Sequence, residues 1–102
     1  MRRANAARAW FDVQLADAST PSQRLARASE LLRRAARARR ADADRLDGEA
    51  WLAFLDTGNG AFVRGDGRLM LDGPFRADVD ARQADAALTL ARERFVALRL
   101  GR

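Results

Sequence analysis

Carboxylates near the middle of the chain come closest to a metal-binding pattern. Asp42 and Asp44 are separated by one residue, and Asp47 is followed directly by Gly48. A calcium loop places its ligands at alternate positions, with glycine sixth and a bidentate glutamate twelfth. Counted from Asp42, the sixth position is Asp47 and the twelfth is Ala53, so the pattern breaks at both places. The sequence therefore predicts capping and connecting roles for these carboxylates and no metal site.

The side chains needed for common catalytic mechanisms are missing. The chain contains no histidine, cysteine, lysine or tyrosine, which excludes a thiolate nucleophile, an imidazole base, a Schiff base and an ordinary zinc site. Its three serines have no such base to activate them. Gly58 and Gly60 resemble the start of a dinucleotide loop, but Val63 stands where the third glycine belongs. We expect a protein that is not an enzyme and uses no cofactor.

Positive charge is concentrated in the run 33–40. All 19 basic residues of the chain are arginine, and the formal net charge is +5. A basic helix face can bind phosphates or a protein partner, and the candidate face consists of Arg33, Arg34, Arg37 and Arg40. The more ordinary interpretation is a solvated face, because cations near a helix C-terminus are favourable. Three aspartates follow within 42–47 and would repel a polyanion. Nucleic-acid binding is therefore the weaker alternative.

Two long helices are predicted in the N-terminal half. Apolar spacing indicates a first helix over 4–16. A second helix is predicted from Pro21 to about residue 40, because Thr20 and Gln23 have the spacing of a capping box and proline favours the first helical position. We expect the polar residues 41–45 to connect this helix to the next element.

A short aromatic helix is predicted within 46–56. Asp47 is its expected cap, and Gly58 supplies the expected left-handed stop. Helical spacing places Trp51, Phe54 and Leu55 on one side, which favours a role in the core over a role in ligand binding.

Glycine interrupts the periodicity between residues 57 and 77. A single helical turn capped by Asp66 competes with a hairpin that pairs 62–64 with 69–71, and we prefer the helix because an isolated two-stranded ribbon is marginally stable. Gly73 and Pro74 are expected to end the helix, and Phe75 is expected to pack back onto the core.

The last predicted helix begins after Asp80 and continues to the C-terminus. Its apolar seam contains Phe95, which joins the predicted core motif. The fold class is therefore all-α, a bundle of about four helices with a glycine-rich loop before the last one. We divide it into an N-terminal helix, 1–19, and a helical domain, 20–102. Trp10 and Phe11 precede the best-capped elements and are predicted to form a partly exposed apolar patch.

The order of these pieces resembles an uncharacterised bacterial family called domain of unknown function 4381. The resemblance covers about 20–100 and depends chiefly on Gly48, Trp51, Phe54, Leu55 and the turn Gly73-Pro74-Phe75. It implies a single N-terminal transmembrane helix, an arginine-rich juxtamembrane segment and a cytoplasmic helical domain. It also implies genes that lie beside those of MoxR-type AAA+ ATPases and von Willebrand factor A proteins.

The chain itself has no apolar run of the roughly 20 residues that cross a bilayer, so we expect it to be soluble as given. Arg2 and Arg3 would suit the cytoplasmic flank of a missing anchor, which makes Met1 an uncertain native start. The leading hypothesis is a protein-interaction module tethered to the inner membrane that binds such an ATPase or von Willebrand-type protein. The expected binding residues are those of the arginine face, together with Trp10 and Phe11.

Overall fold

Helices make up the secondary structure of residues 1–101, the part of the chain that the computed structural model describes. There are five α-helices in this part: α1 (Arg2–Leu15), α2 (Pro21–Arg39), α3 (Gly48–Leu55), α4 (Leu69–Asp72) and α5 (Ala81–Leu100). Three short 3-10 helices occur at Ala43–Arg45, Asp66–Arg68 and Gly73–Phe75. No strand occurs within 1–101, so the predicted all-α class is confirmed and the hairpin alternative is wrong.

The two long helices of the N-terminal half lie close to their predicted positions. Helix α1 begins two residues earlier than predicted and ends one residue earlier. At the start of α2, the Thr20 hydroxyl accepts from the Gln23 amide at 3.1 Å, and the Gln23 side chain accepts from the Thr20 amide at 3.3 Å. The capping box therefore forms as predicted, and it fixes where α2 begins.

Helix α3 spans the predicted aromatic segment and has Asp47 as its N-cap residue, as predicted, but its predicted C-terminal stop is wrong. Asp47 has the extended backbone of a cap, yet its side chain makes no capping hydrogen bond. Gly58 has a positive φ of 101° but follows the end of the helix. The helix stops because Asp56 is extended, and the Asp56 carboxylate then organises the loop that follows.

The glycine-rich segment is more helical than predicted. The 3-10 turn at Asp66–Arg68 leads into α4, and a second 3-10 turn continues through Gly73 and Pro74 to Phe75. Asp66 lies inside the first turn and does not cap it. A helical turn was the preferred prediction here, but the estimate of about four helices was too low because α4 is a separate element.

One core holds the helices together. Helix α2 packs extensively against α5, where small buried alanines allow the two backbones to approach closely; these are Ala28, Ala36, Ala84, Ala87 and Ala91. Helix α1 contributes Ala4, Ala7, Phe11 and Leu15 to the same cluster of buried residues. Helix α1 therefore shares this core with the other long helices.

Two phenylalanines have the opposite environments to those predicted. Phe11 was expected in an exposed patch but is only 2% exposed, because the helical phase of α1 places it on the face shared with Ala4, Ala7 and Leu15. Phe75 was expected in the core but is 88% exposed. In the 3-10 turn Gly73–Phe75, the buried residue is Gly73. The Leu25 and Leu69 side chains lie so close to Gly73 that they leave no room for a side chain at this position.

Candidate interaction surfaces

Paired charges line one flank of the interface between α1 and α5. The Arg8 guanidinium donates to both carboxylate oxygens of Glu93 at 2.8 Å. One helical turn along α1, Asp12 accepts from Arg92 at 2.8 and 3.0 Å. These bidentate pairs fix α1 on α5, and their opposite charges balance. No group of three or more acidic, histidine or cysteine side chains suited to a metal occurs within 1–101.

Part of the predicted arginine face is structural. The Arg33 guanidinium donates to the carbonyl oxygens of Asp44 and Leu46, both at 2.8 Å, and lies 4.2 Å from the centre of the Trp51 ring. It therefore attaches the connector between α2 and α3 to α2 while covering the buried tryptophan. This side chain therefore makes its hydrogen bonds within the fold.

Other arginines of the run also have partners within the protein. Arg40 pairs with Asp42 at 2.8 Å, and Arg37 lies 3.9 Å from the Asp44 carboxylate. Arg39, which the prediction did not single out, donates to the carbonyl oxygen of Leu98 at the end of α5. Among the four residues of the predicted face, Arg34 has no hydrogen bond or ion pair to another residue of 1–101. The predicted face therefore contains the structural Arg33, two exposed arginines that face aspartates, and the exposed Arg34, which has no such partner within 1–101.

The exposed Arg34 lies beside a groove formed by α1, α2 and α5. We name this the Trp10 groove; it has a volume of about 420 Å³ and is lined mainly by Trp10, Leu31, Arg34, Ala35, Phe95 and Arg99. The Trp10 ring is stacked on Phe95, with centroids 5.6 Å apart and planes inclined by 11°. The Arg99 guanidinium lies 5.2 Å from the Trp10 centroid. Of the predicted binding residues, the structure thus brings Trp10 and Arg34 together.

A second concavity adjoins the groove on the other side of Trp10. Its lining includes Arg3, Ala6, Leu100 and again Trp10 and Arg99. Among residues 1–101, no aspartate or glutamate lines either concavity. This flank of α1 therefore carries apolar surface and arginines, in contrast to the charge-balanced flank that contains Asp12 and Arg92.

A second exposed aromatic side chain lies at the turn before α5. Phe75 and Pro74 border a shallow groove of about 320 Å³, whose other lining residues include Met70, Leu71 and Ala26. Glu30 and Arg33 also line this groove, so its charge is mixed. Phe75 is an exposed apolar side chain that the sequence interpretation assigned to the core.

Asp56 organises the loop after α3 and was not identified from the sequence. One carboxylate oxygen accepts from the amides of Gly58 and Gly60 at 2.8 and 3.0 Å, and the other accepts from Phe62 and Val63 at 3.1 and 3.0 Å. These hydrogen bonds, with that of Val63 the largest influence, lower the pKa of Asp56 to about 2 against the opposing effect of desolvation. The aspartate followed by alternate glycines was the available signal, because aspartate readily accepts from amides a few residues ahead.

The other four residues of the predicted core motif lie in or against the core; they are Trp51, Phe54, Leu55 and Phe95. Trp51 and Leu55 are fully buried, and Phe95 is 2% exposed. Phe54 is partly buried and stacks on Trp51 with centroids 5.9 Å apart. These four residues pack in or against the core, and Phe95 also lines the Trp10 groove.

Comparison with known proteins identifies a family and nothing beyond it. A family model described as "Domain of unknown function (DUF4381)" matches residues 1–95. No curated protein and no solved structure matches the chain significantly. The match includes α1, whereas the resemblance noted from the sequence began at about residue 20. Within 1–101, no helix has the combination of length and apolar character needed to cross a membrane.

Proposed function

The chain belongs to the family described as domain of unknown function 4381, and from that premise we propose that it is a non-enzymatic protein-interaction module. In the full-length protein an N-terminal anchor holds the module on the cytoplasmic side of the bacterial inner membrane. Its partner is a MoxR-type AAA+ ATPase or a von Willebrand factor A protein. The module acts by surface recognition.

The observation that carries this proposal is the Trp10 groove. Trp10 is 38% exposed, and the concave surface beside it combines apolar side chains with Arg34 and Arg99. Tryptophan and arginine are enriched among the residues that dominate binding energy at protein interfaces. A small domain that leaves both residue types at the edge of an apolar groove is suited to receive another protein.

The non-enzymatic part of the proposal is supported by the available side chains. The sequence contains no histidine, cysteine, lysine or tyrosine, so acid–base and nucleophilic roles would fall to carboxylates and hydroxyls. Several carboxylates already have structural partners. Asp56 accepts from four amides, Asp80 caps α5, and Asp12 pairs with Arg92.

Nucleic-acid binding through the arginine face has less support. Arg33 and Arg39 donate to backbone carbonyls, while Arg37 and Arg40 face aspartates, so four of the arginines in the run already interact within the protein. This alternative requires binding to random duplex DNA that weakens steeply with added salt. Absence of binding at low salt would exclude it.

The proposal is tested with the full-length, affinity-tagged protein in its native membrane. After mild cross-linking and detergent extraction, the tagged protein should recover the ATPase or the von Willebrand-type protein. The matched control is an equally expressed tagged protein that retains the anchor and lacks this domain. Recovery of neither partner from cells that contain both would contradict the proposal, as would equal recovery with the control.

A further inference from the structure

We infer that the Trp10 groove binds an acidic, amphipathic helical segment of the protein partner. The inference rests on the proposed function and specifies the chemistry of the partner at the same site. Three observations support it: the charges that border the groove, the recessed apolar floor, and the stacking of Trp10 on Phe95.

The charges around the groove select a negatively charged occupant. Arg34 and Arg99 line it, and Arg3 lines the adjoining concavity, whereas no aspartate or glutamate of the described part of the chain, 1–101, lines either one. None of these three arginines forms an ion pair within 1–101. By contrast, the opposite flank of α1 pairs Arg8 with Glu93 and Asp12 with Arg92. Carboxylates of a partner can therefore approach the groove without displacing an internal acid.

The apolar part of the groove selects an occupant with apolar side chains on one face. Leu31 and Ala35 of α2 and Phe95 of α5 form the floor of the groove. An amphipathic helix places apolar residues along one side, which is the pattern used by helix-in-groove complexes.

The recessed floor favours a protein segment over a bilayer. Leu31 and Phe95 are both only 2% exposed, and Trp10 lies nearly parallel to the Phe95 ring on which it stacks. Insertion into a membrane requires apolar side chains that project outward into the lipid. In this groove the apolar side chains have to be reached by a partner's side chains that project inward.

The probe for the test is a synthetic peptide of about 15 residues with leucines at helical spacing on one face and glutamates on the other. Two control peptides replace every glutamate with glutamine or every leucine with serine. Binding to the isotopically labelled chain is followed by NMR at low and moderate salt. The indole N–H of Trp10 reports on the groove, and that of the buried Trp51 serves as the internal reference.

Matched protein variants separate the groove from general attraction to a basic protein. Arg34→Gln with Arg99→Gln removes two positive charges at the groove. Arg24→Gln with Arg82→Gln removes two exposed positive charges that do not line it. Thermal unfolding of both double variants checks that each remains folded.

The inference predicts shifts of Trp10 and its neighbours with the acidic amphipathic peptide. It also predicts affinity roughly five- to thirtyfold weaker in the Arg34/Arg99 variant, with little change in the Arg24/Arg82 variant. Equal weakening in both variants, equal binding of the glutamine peptide, or no shift at Trp10 would overturn it. Vesicles of anionic lipid that shift Trp10 when the peptide does not would also overturn it. If the full-length Arg34/Arg99 variant still recovers the ATPase or von Willebrand-type protein unchanged, the groove assignment fails while the proposed function stands.

Discussion

Asp56 contributes to stability through its ionised form. Its carboxylate accepts from four amides of the loop, and the same bonds lower its pKa from the ordinary 3.8 to about 2. Because the folded-state pKa is the lower one, this contribution is fully present above about pH 4 and is lost as the pH falls through about 2. We therefore assign part of the acid sensitivity of the fold to this single residue.

Replacing Asp56 with asparagine should lower the midpoint of urea unfolding at pH 7, because an amide nitrogen would then face two amide donors. The same change should flatten the dependence of stability on pH between about 4 and about 2. Unfolding curves measured across that pH range check both effects. Asp66→Asn is the control, because the exposed Asp66 side chain makes no capping hydrogen bond. Identical pH profiles for the Asp56 variant and the unaltered protein would contradict this assignment.

Phe11 and Phe75 provide a second test at the scale of single residues. Phe11 is buried against Phe95 with centroids 5.4 Å apart, whereas Phe75 is 88% exposed. Phe11→Ala should reduce the free energy of unfolding by about 3–5 kcal/mol. Phe75→Ala should change it by no more than about 0.5 kcal/mol. Similar losses from the two substitutions, measured by urea denaturation, would show that one of these environments is wrong.

At the scale of elements, Arg33 connects α2 to the connector before α3. Arg33→Gln should cost about 1.5–3 kcal/mol, because two charge-assisted hydrogen bonds to backbone carbonyls and the contact with Trp51 are lost. The adjacent Arg34→Gln, which alters an exposed side chain, should cost no more than about 0.5 kcal/mol. Chemical denaturation of both variants under the same conditions makes the comparison. A loss from Arg34→Gln as large as that from Arg33→Gln would contradict a structural role specific to Arg33.

Helix starts were predictable where the sequence carries a local signal. The capping box at Thr20 and the Asp80 cap depend on residues within one turn, and both are present in the structure. The stop after α3 was assigned to Gly58 because glycine is the usual local signal, but the carboxylate of Asp56 governs that loop. Asp47 occupies the N-cap position of α3, but its side chain makes no capping hydrogen bond. Residue type alone therefore did not determine whether that hydrogen bond forms.

The grooves could not be predicted, because they depend on contacts between distant elements. Trp10, Arg34 and Arg99 are on three different helices, and no spacing in the sequence brings them together. The position of Phe75 was also beyond local patterns. Helix α4 ends at Asp72 with Gly73 as its C-cap, as predicted, but a 3-10 turn follows through Gly73 and Pro74 and leaves Phe75 outward.

At the scale of the whole molecule, we propose that the partner binds at the Trp10 groove. Site-specific photocross-linking in the full-length protein, inside its native cells, tests this most directly. A benzophenone side chain at Ala38, which is exposed and lines the groove, is compared with one at the exposed Ala53 of α3. We expect cross-links from position 38 to an acidic segment of the ATPase or von Willebrand-type protein, and few from position 53. Equal cross-linking from both positions, or none from position 38, would contradict it.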